Sequence, residues 1–129
     1  MVDAIGIAGS GLGLHRSWLD AIADNIANVN TATATDGAAF QARYIIAQSG
    51  GDTPGVTVAG AEFSDAAGRV VNDPNHPLAD AEGNVRYPDI DLGEQMSTLI
   101  MAQRGYEANA AVVDRAKTIY EAALQIGRN

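Results

Sequence analysis

A sevenfold repeat in the last third of the chain, uninterrupted by proline, constrains the fold most strongly. Stepping by seven gives an apolar first row: Leu92, Leu99, Tyr106, Val113 and Tyr120. The positions three and four residues after each member repeat as well, and the second of these rows ends at Leu124. The repeat predicts a helix of about 36 residues, roughly 55 Å long, that lies along a partner helix. Asp91 and Glu94 predict its N-terminal capping box.

The N-terminal segment repeats in the same way, but it is rich in glycine. Its first row is Ile5, Leu12, Leu19 and Ile26, and the row three residues later is Ala8, His15, Ile22 and Val29. Gly6, Gly9, Gly11 and Gly13 each cost about 1 kcal/mol against alanine in a helix. One interpretation is a poor helix that is partly loop. The repeat favours the other, a segment with little helix in an isolated chain that becomes helical on assembly and uses glycine for close packing.

Between these repeats the chain has the character of a small β insert. All four prolines lie here, with several turn dipeptides, and short β-type runs occur at 40–46, 56–58, 69–71 and 85–87. We therefore predict a mainly α fold with a small β insert of two hairpins. Its regions are an N-terminal helix at 1–30, an insert at 31–90 and a C-terminal helix at 91–129. The terminal helices form a coiled-coil-like pair in which the longer C-terminal helix overhangs.

Composition excludes several function classes. The net charge is −8 with a single lysine, whereas nucleic acids and anionic membrane surfaces attract basic proteins. There are no cysteines, which removes disulfides, thiolate metal sites and thiol nucleophiles. Aromatic residues make up only 5% of the chain, so the expected core is weak. The first residues lack the features of a secretory signal, and no run is long and apolar enough for membrane insertion, so we expect any export to use another route.

The residues that could carry chemistry do not form a recognisable site. The candidates are Ser10, His15, His76 and the alternating carboxylates Asp80, Glu82, Asp89 and Asp91. The histidines lack a fixed spacing to a carboxylate cluster, and calcium loops need more oxygen ligands in one run. Ser10 lacks the strand and the lysine of nucleophile and phosphate motifs. We predict a packed or partly exposed His15, no catalytic residue, no cofactor and no metal. A small enzyme that uses His76 and Asp80 is the alternative from that class.

The asparagines near the end of the first helix have two interpretations. Asn25, Asn28 and Asn30 could provide C-cap and turn hydrogen bonds. Their amides could instead bond across an interface and set its register, with Asn109 as a counterpart. The residues alone leave both open.

Three separated motifs resemble the bacterial flagellar rod and hook family. The segment 23–31 resembles its N-terminal asparagine motif, and 104–109 followed by 116–128 resembles its C-terminal motif. The segments 73–80 and 87–96 are similar to those of the C-type proximal rod proteins. Asn84 and Asp89 depart from the usual residues, and 36–40 is looser than its counterpart. The resemblance spans nearly the whole chain.

The resemblance implies a structural subunit of the proximal rod in the flagellar basal body. Such proteins pass unfolded through the type III export apparatus, without a cleaved signal, and polymerise in the periplasm into a shaft that transmits torque. The implied partners are other rod proteins, copies of the chain, the export apparatus and, as a further candidate, the inner-membrane ring. The expected subunit-interface residues are Leu12, Leu19, Ile22, Asn25, Ile26, Asn28, Leu99, Tyr106, Asn109, Val113, Tyr120 and Leu124.

In that arrangement, Leu12, Leu19, Ile22 and Ile26 pack against Leu99, Tyr106, Val113 and Tyr120. A rival interpretation from another class is a secreted helical-hairpin adaptor or effector that binds one partner helix. It would form a discrete complex rather than a polymer.

Overall fold

A computed structural model of the chain describes residues 2–128, and side chains from residue 3 onward. Its elements in chain order are α1 (Val2–Ala27), β1 (Arg43–Ser49), β2 (Val56–Phe63), β3 (Arg69–Asn72), β4 (Asn84–Tyr87) and α2 (Leu92–Gly127). The mainly α fold with a small β insert is confirmed. Met1 and Asn129, which we placed in the first and third regions, lie outside the described residues.

The two helices pack antiparallel along most of α1. Gly11 lies against Asn109, His15 against Gly105 and Asn25 against Gln95. From one pair to the next, the residue number on α1 rises by as much as the residue number on α2 falls. The three contacts therefore belong to one antiparallel register. At that register the end of α1 lies opposite the first turn of α2, and the beginning of α1 lies opposite the last third of α2.

Helix α1 runs without a break through its four glycines. The expectation of little helix here in an isolated chain is therefore wrong, and so is the alternative of a segment that is partly loop. Two contacts support the helix there. Gly11 is buried against α2, and Ser10 bonds the amide of Val56 in the first hairpin. Packing of this kind outweighs a poor intrinsic helix propensity.

The insert consists of two antiparallel hairpins, as expected. β1 pairs with β2 with a register shift between Ile46 and Ala47, and β3 pairs with β4 in regular register. β2 continues to Phe63, well beyond the predicted run at 56–58, because it pairs along the whole of β1. The first hairpin packs on α1, and the second joins the loop after α1 through a bridge between Thr33 and Arg86.

The N-terminus of α2 is capped where we predicted. Asp91 is extended, and its carboxylate accepts a hydrogen bond from the Glu94 amide at 3.0 Å. This satisfies one of the amides that lack a partner in the first helical turn.

The buried apolar core is made largely of small residues. Within the described chain, six of its ten members are alanine: Ala8, Ala21, Ala39, Ala42, Ala102 and Ala116. The others are Leu14, Ile22, Val85 and Ile90. Alanine removes little apolar area from water, so each contact stabilises the fold weakly. Neither helix within residues 2–128 has the apolar length that crossing a bilayer requires.

Candidate subunit interface

The row of α2 that faces α1 is not the first row of the repeat. The buried members of α2 are Gln95, Ala102 and Ala116, and Asn109 of the same row is half-buried. Tyr106 and Tyr120 are 38% and 44% exposed, so the expected packing of these rings on α1 is wrong for the single chain. The sevenfold spacing is present, but the contact lies three residues further along the helix.

A similar shift occurs on α1. Ala8 and Ile22, three residues after the first row, are buried, as are Gly11, Leu14, Ala21 and Asn25, whereas Leu12, Leu19 and Ile26 of the first row are only half-buried. Two helices can approach more closely where small residues meet than where rows of leucine meet. The rows that contain glycine and alanine therefore form most of the contact, and the first rows, with larger side chains, lie beside it.

Two glycines on opposite helices make this approach possible. A Cβ at Gly11 would lie 2.7 Å from Oδ1 of Asn109, and a Cβ at Gly105 would overlap the His15 ring. His15 is half-buried, as expected for a packed histidine, and its Nδ1 donates to the Gly11 carbonyl at 2.7 Å. The Asn109 amide donates to the Gly105 carbonyl at 3.0 Å. Each glycine thus accommodates a polar side chain of the facing helix.

Asn25 lies at the centre of a buried hydrogen-bond network inside the chain. Its Oδ1 accepts from the Arg43 amide at 2.9 Å, and its Nδ2 donates to the Arg43 carbonyl and to Oε1 of Gln95, both at 3.0 Å. The side chain is 0% exposed. A buried amide with all of these bonds made fixes the position of three elements. Its partner on α2 is Gln95, not Asn109 as expected.

Asn28 follows the turn interpretation. Its amide donates to the Asp24 carbonyl at 2.8 Å, and its Oδ1 accepts from the Thr31 hydroxyl at 3.1 Å. These bonds close the last turn of α1 locally.

The first hairpin is attached to α1 by three side chains on one face of the helix. Ser10 accepts from the Val56 amide at 3.0 Å, Trp18 Nε1 donates to the Ile45 carbonyl at 3.1 Å, and Asn25 bonds Arg43. Sequence reasoning missed the roles of Ser10, Trp18 and Gln95. The sequence could have indicated the role of Trp18, because it lies seven residues before Asn25 and therefore on the same face of α1.

Much of α2 presents large apolar side chains to solvent. The exposed set is Leu92, Met96, Ile100, Met101, Tyr106, Val112, Ile119, Tyr120, Leu124 and Ile126. Met101 and Ile126 are 72% and 77% exposed. So many exposed large apolar side chains on one helix are typical of a surface that contacts other proteins.

The end of α2 extends past α1, which confirms the expected overhang. Residues 117–127, which we call the overhang, are exposed throughout and span about 16 Å of helix. Its apolar side chains are Ile119, Tyr120, Leu124 and Ile126.

An open groove lies at the other end of the helix pair, where α1, β1 and the first half of α2 meet. We call it the basal groove; its volume is about 320 Å³, and its lining includes Trp18, Ile22, Ile45, Met101 and Ala102. Arg43, Tyr44 and Glu94 also line it. Burial raises the pKa of the Tyr44 hydroxyl, and the carboxylates of Glu94, Asp89 and Asp91 raise it further. The groove is therefore apolar inside and acidic at its α2 edge.

Of the carboxylates that we weighed as cation ligands, Asp80 bonds within the second hairpin and Asp91 caps α2. Asp80 Oδ1 accepts from the Glu82 and Asn84 amides, and its Oδ2 accepts from the Thr35 hydroxyl at 2.8 Å. The Asn84 amide, followed by the Thr35 hydroxyl, lowers the pKa of Asp80. His76 bonds the Leu78 amide and meets the Tyr87 ring edge-on. These bonds hold the loop between β3 and β4, and residues 2–128 contain no group of three or more side chains arranged to hold a metal.

Both ends of the chain match family models of flagellar rod proteins. Residues 5–35 match the family model described as flagella basal body rod protein, and residues 81–126 match that described as flagellar basal body rod FlgEFG protein C-terminal. The flagellar basal-body rod protein FlgC of Yersinia enterocolitica is 36% identical over 132 residues, covering 99% of this chain and 98% of the relative.

Two further relatives carry the same description. The protein of Escherichia coli O6:H1 is 33% identical over 99% of this chain and 98% of its own length. That of Borreliella burgdorferi is 31% identical over 98% of this chain and 97% of its own length.

Proposed function

This chain belongs to the flagellar basal-body rod protein FlgC family, and from that premise we propose how it is built into the rod. It is a structural subunit of the proximal rod of the flagellum. The observation that carries this function is similarity over almost the full length of several such proteins. Its relatives are structural rod proteins, and we infer that the chain itself is not an enzyme. Family membership also removes the basis for a secreted adaptor.

We propose that neighbouring subunits cover the first rows of the two repeats and the overhang. The interface residues are then Leu12, Leu19, Ile26, Leu99, Tyr106, Val113, Tyr120 and Leu124. Each of them is either exposed or half-buried at the side of the intrachain contact. Each therefore has apolar surface that the single chain leaves in water. Ile22 and Asn25 are buried within the chain and position the fold rather than meet a neighbour.

We propose that the chain reaches the rod unfolded, through the flagellar export apparatus, and without a cleaved signal. The alanine-rich core supports this route, since a fold with little buried area is easier to open. In the periplasmic space its partners would be other rod proteins and copies of itself. The β insert would lie outside the helical layer, where the inner-membrane ring is the candidate neighbour, and stiff packed helices would transmit torque.

The interface is tested by substitution in the overhang, in a flagellated strain that lacks its own copy. Tyr120→Asp introduces a charge at an apolar interface position that is exposed in the single chain. We expect loss of swimming and of rod assembly while export of the chain persists. Thr118→Asp is the matched control, because Thr118 is an exposed polar position of the same helix. Wild-type swimming by the Tyr120→Asp strain would contradict the proposed interface.

A further inference from the structure

We propose that the outer edge of β2 in one copy of this chain pairs with the outer edge of β3 in a second copy, so that two β inserts share one antiparallel sheet. This inference rests on the proposed function as a rod subunit, and it adds a contact that the inserts make rather than the helices. The two strands belong to different hairpins of the chain, so each copy offers one edge of each kind. A contact between two different surfaces of the same chain can continue from copy to copy.

The other two strands have outer edges that are already occupied. In β1, both the amide and the carbonyl of Arg43 bond the side chain of Asn25. In β4, Arg86 exchanges two backbone hydrogen bonds with Thr33, at 2.8 and 2.9 Å. A further strand has no access to the backbone at these positions, so the edges of β2 and β3 are the ones open to pairing.

The same bonds show which residues of β2 and β3 face outward. In an antiparallel pair, a residue whose backbone bonds point away from its partner lies opposite a residue that also points away. Arg43 lies opposite Phe63, and Arg86 lies opposite Val70. Phe63 and Val70 therefore direct their amides and carbonyls to the outer edges of their hairpins. Ala61 does so as well, because this direction repeats at every second residue.

These outward groups are left without a protein partner. Within residues 2–128, no hydrogen bond from another residue reaches the backbone of Ala61 or Phe63 in β2, or of Val70 or Asn72 in β3, at the outer edge. Each strand thus offers two residues about 7 Å apart, the same spacing on both edges. Neither strand contains proline or lysine, the residues that commonly protect an edge from pairing.

The side chains along the two edges match. An antiparallel pairing of the outward groups places Phe63 opposite Val70 and Ala61 opposite Asn72. Phe63 and Val70 are 61% and 53% exposed, the highest values among the large apolar residues of the described strands. An aromatic ring beside a β-branched side chain is a favourable cross-strand pair. The pairing would cover the two apolar side chains that the hairpins leave most open to water.

The charges on the opposite face match in the same register. Glu62 of β2 then lies opposite Val71 and diagonal to Arg69 of β3, and both charged residues are exposed in the single chain. The Arg69 guanidinium lies over the Tyr87 ring, 5.2 Å from its centroid, which holds it at this hairpin. Opposite charges on a diagonal are within reach of each other when the side chains are long.

One chain does not join its own two edges. The loop between β2 and β3 is bonded elsewhere, since the Ser64 amide donates to the Ala42 carbonyl at 2.9 Å and the Ala39 amide donates to the Ala66 carbonyl at 2.8 Å. These bonds keep the two strands in separate sheets. Pairing of two like edges, β2 with β2, would close a symmetric pair of copies and stop there. The proposed pairing therefore joins β2 to β3 of another copy.

The absence of cysteine from the chain allows a direct test by disulfide cross-linking. Glu62→Cys and Val71→Cys place thiols at positions that the pairing brings opposite each other between two bonded pairs, where side chains are closest. Strains that produce both single-cysteine variants together, in place of the native chain, are oxidised, and their basal bodies are isolated. We expect a covalent product of two chains from the mixture and from neither variant alone.

The matched control replaces Glu62→Cys with Thr57→Cys, an exposed position of the same strand about 17 Å away. It should give no product with Val71→Cys. An equal yield from the control pair, or a Glu62→Cys product that contains only a different rod protein, would overturn the inference. Swimming strains that give no two-chain product would overturn it as well while leaving the rod function intact. Loss of rod incorporation by the native chain would instead count against the function itself.

A backbone substitution tests the edge itself. Ala61→Pro removes an outward amide that the pairing of β1 with β2 does not use, and proline is tolerated on an edge strand in that orientation. In the cross-linking strains it should remove most of the two-chain product when it is added to the Glu62→Cys chain, whereas Ala61→Ser should leave the product in place. An undiminished yield with Ala61→Pro would show that the edge of β2 does not bond the second copy.

Discussion

The two sides of α2 reverse the usual distribution of residue sizes. The side that faces α1 contains alanine, glutamine and asparagine, while the exposed remainder carries isoleucine, methionine, leucine and tyrosine. In a self-sufficient helix pair the large apolar residues would be inside. The difference shows that the intrachain contact is built for closeness and register, and that the larger apolar area stays exposed in the single chain.

The largest effect should follow from a charge on the inner side. Ala102 is 4% exposed between the helices, and Ala102→Asp buries a carboxylate without a partner. We expect a loss of about 3 kcal/mol or more in the free energy of unfolding. Ala108→Asp is the control, since Ala108 is an exposed alanine of the same helix. Urea titration followed by circular dichroism compares the two, and equal midpoints would show that Ala102 is not in the contact.

A smaller loss should follow from widening the glycine contact. Gly105→Ala places a methyl group where the His15 ring lies, which overpacks the crossing and costs about 1–2 kcal/mol. Gly13 has open space around its Cα, so Gly13→Ala should instead stabilise α1 by about 0.5–1 kcal/mol. Thermal unfolding measures both.

The His15→Ala background separates overlap from a general defect. Removing the ring should abolish most of the cost of Gly105→Ala, because the two positions then no longer compete for space. An undiminished cost in the double variant would place the cause elsewhere.

The smallest effect on the single chain should come from the outer side, at a position two residues from Ala102. Ile100 is half-exposed, and Ile100→Asp should change the free energy of unfolding by no more than about 0.5 kcal/mol. Rod assembly should nevertheless fail, since the charge would lie in the exposed apolar surface of α2, beside the proposed interface residue Leu99. Urea titration and a motility assay on the same variant test both halves. Normal motility would remove Ile100 from the interface, and a large stability loss would show that this side also holds the fold.

Periodicity and turn chemistry were sufficient to predict the elements but not the contacts between them. Two helices, two hairpins, the Asp91 cap and the overhang follow from local patterns. The row of α2 that contacts α1 could not be predicted from such patterns, because side-chain size alone favoured Leu99 and Tyr106 over Ala102. The choice of row depends on how closely two backbones approach, which Gly11 and Gly105 determine jointly from distant parts of the chain.

The hydrogen bonds between elements could not be predicted from the sequence either. Asn25 could be recognised as a polar member of a repeat, yet its partners Arg43 and Gln95 follow from the position of the first hairpin on α1. The length of β2 has the same cause, since its second half contains Gly60 and two alanines and is a strand only through pairing with β1. The interface residues themselves stay a prediction.

Trp18 gives this molecule a built-in optical probe. It is the only tryptophan in the chain, it bonds β1, and its ring lines the basal groove. Indole emission depends on the polarity around the ring, so a helix that enters the groove and displaces water should shift the emission to shorter wavelength. The occupancy of the groove is then readable in unlabelled protein, without any tag that would disturb the surface being studied.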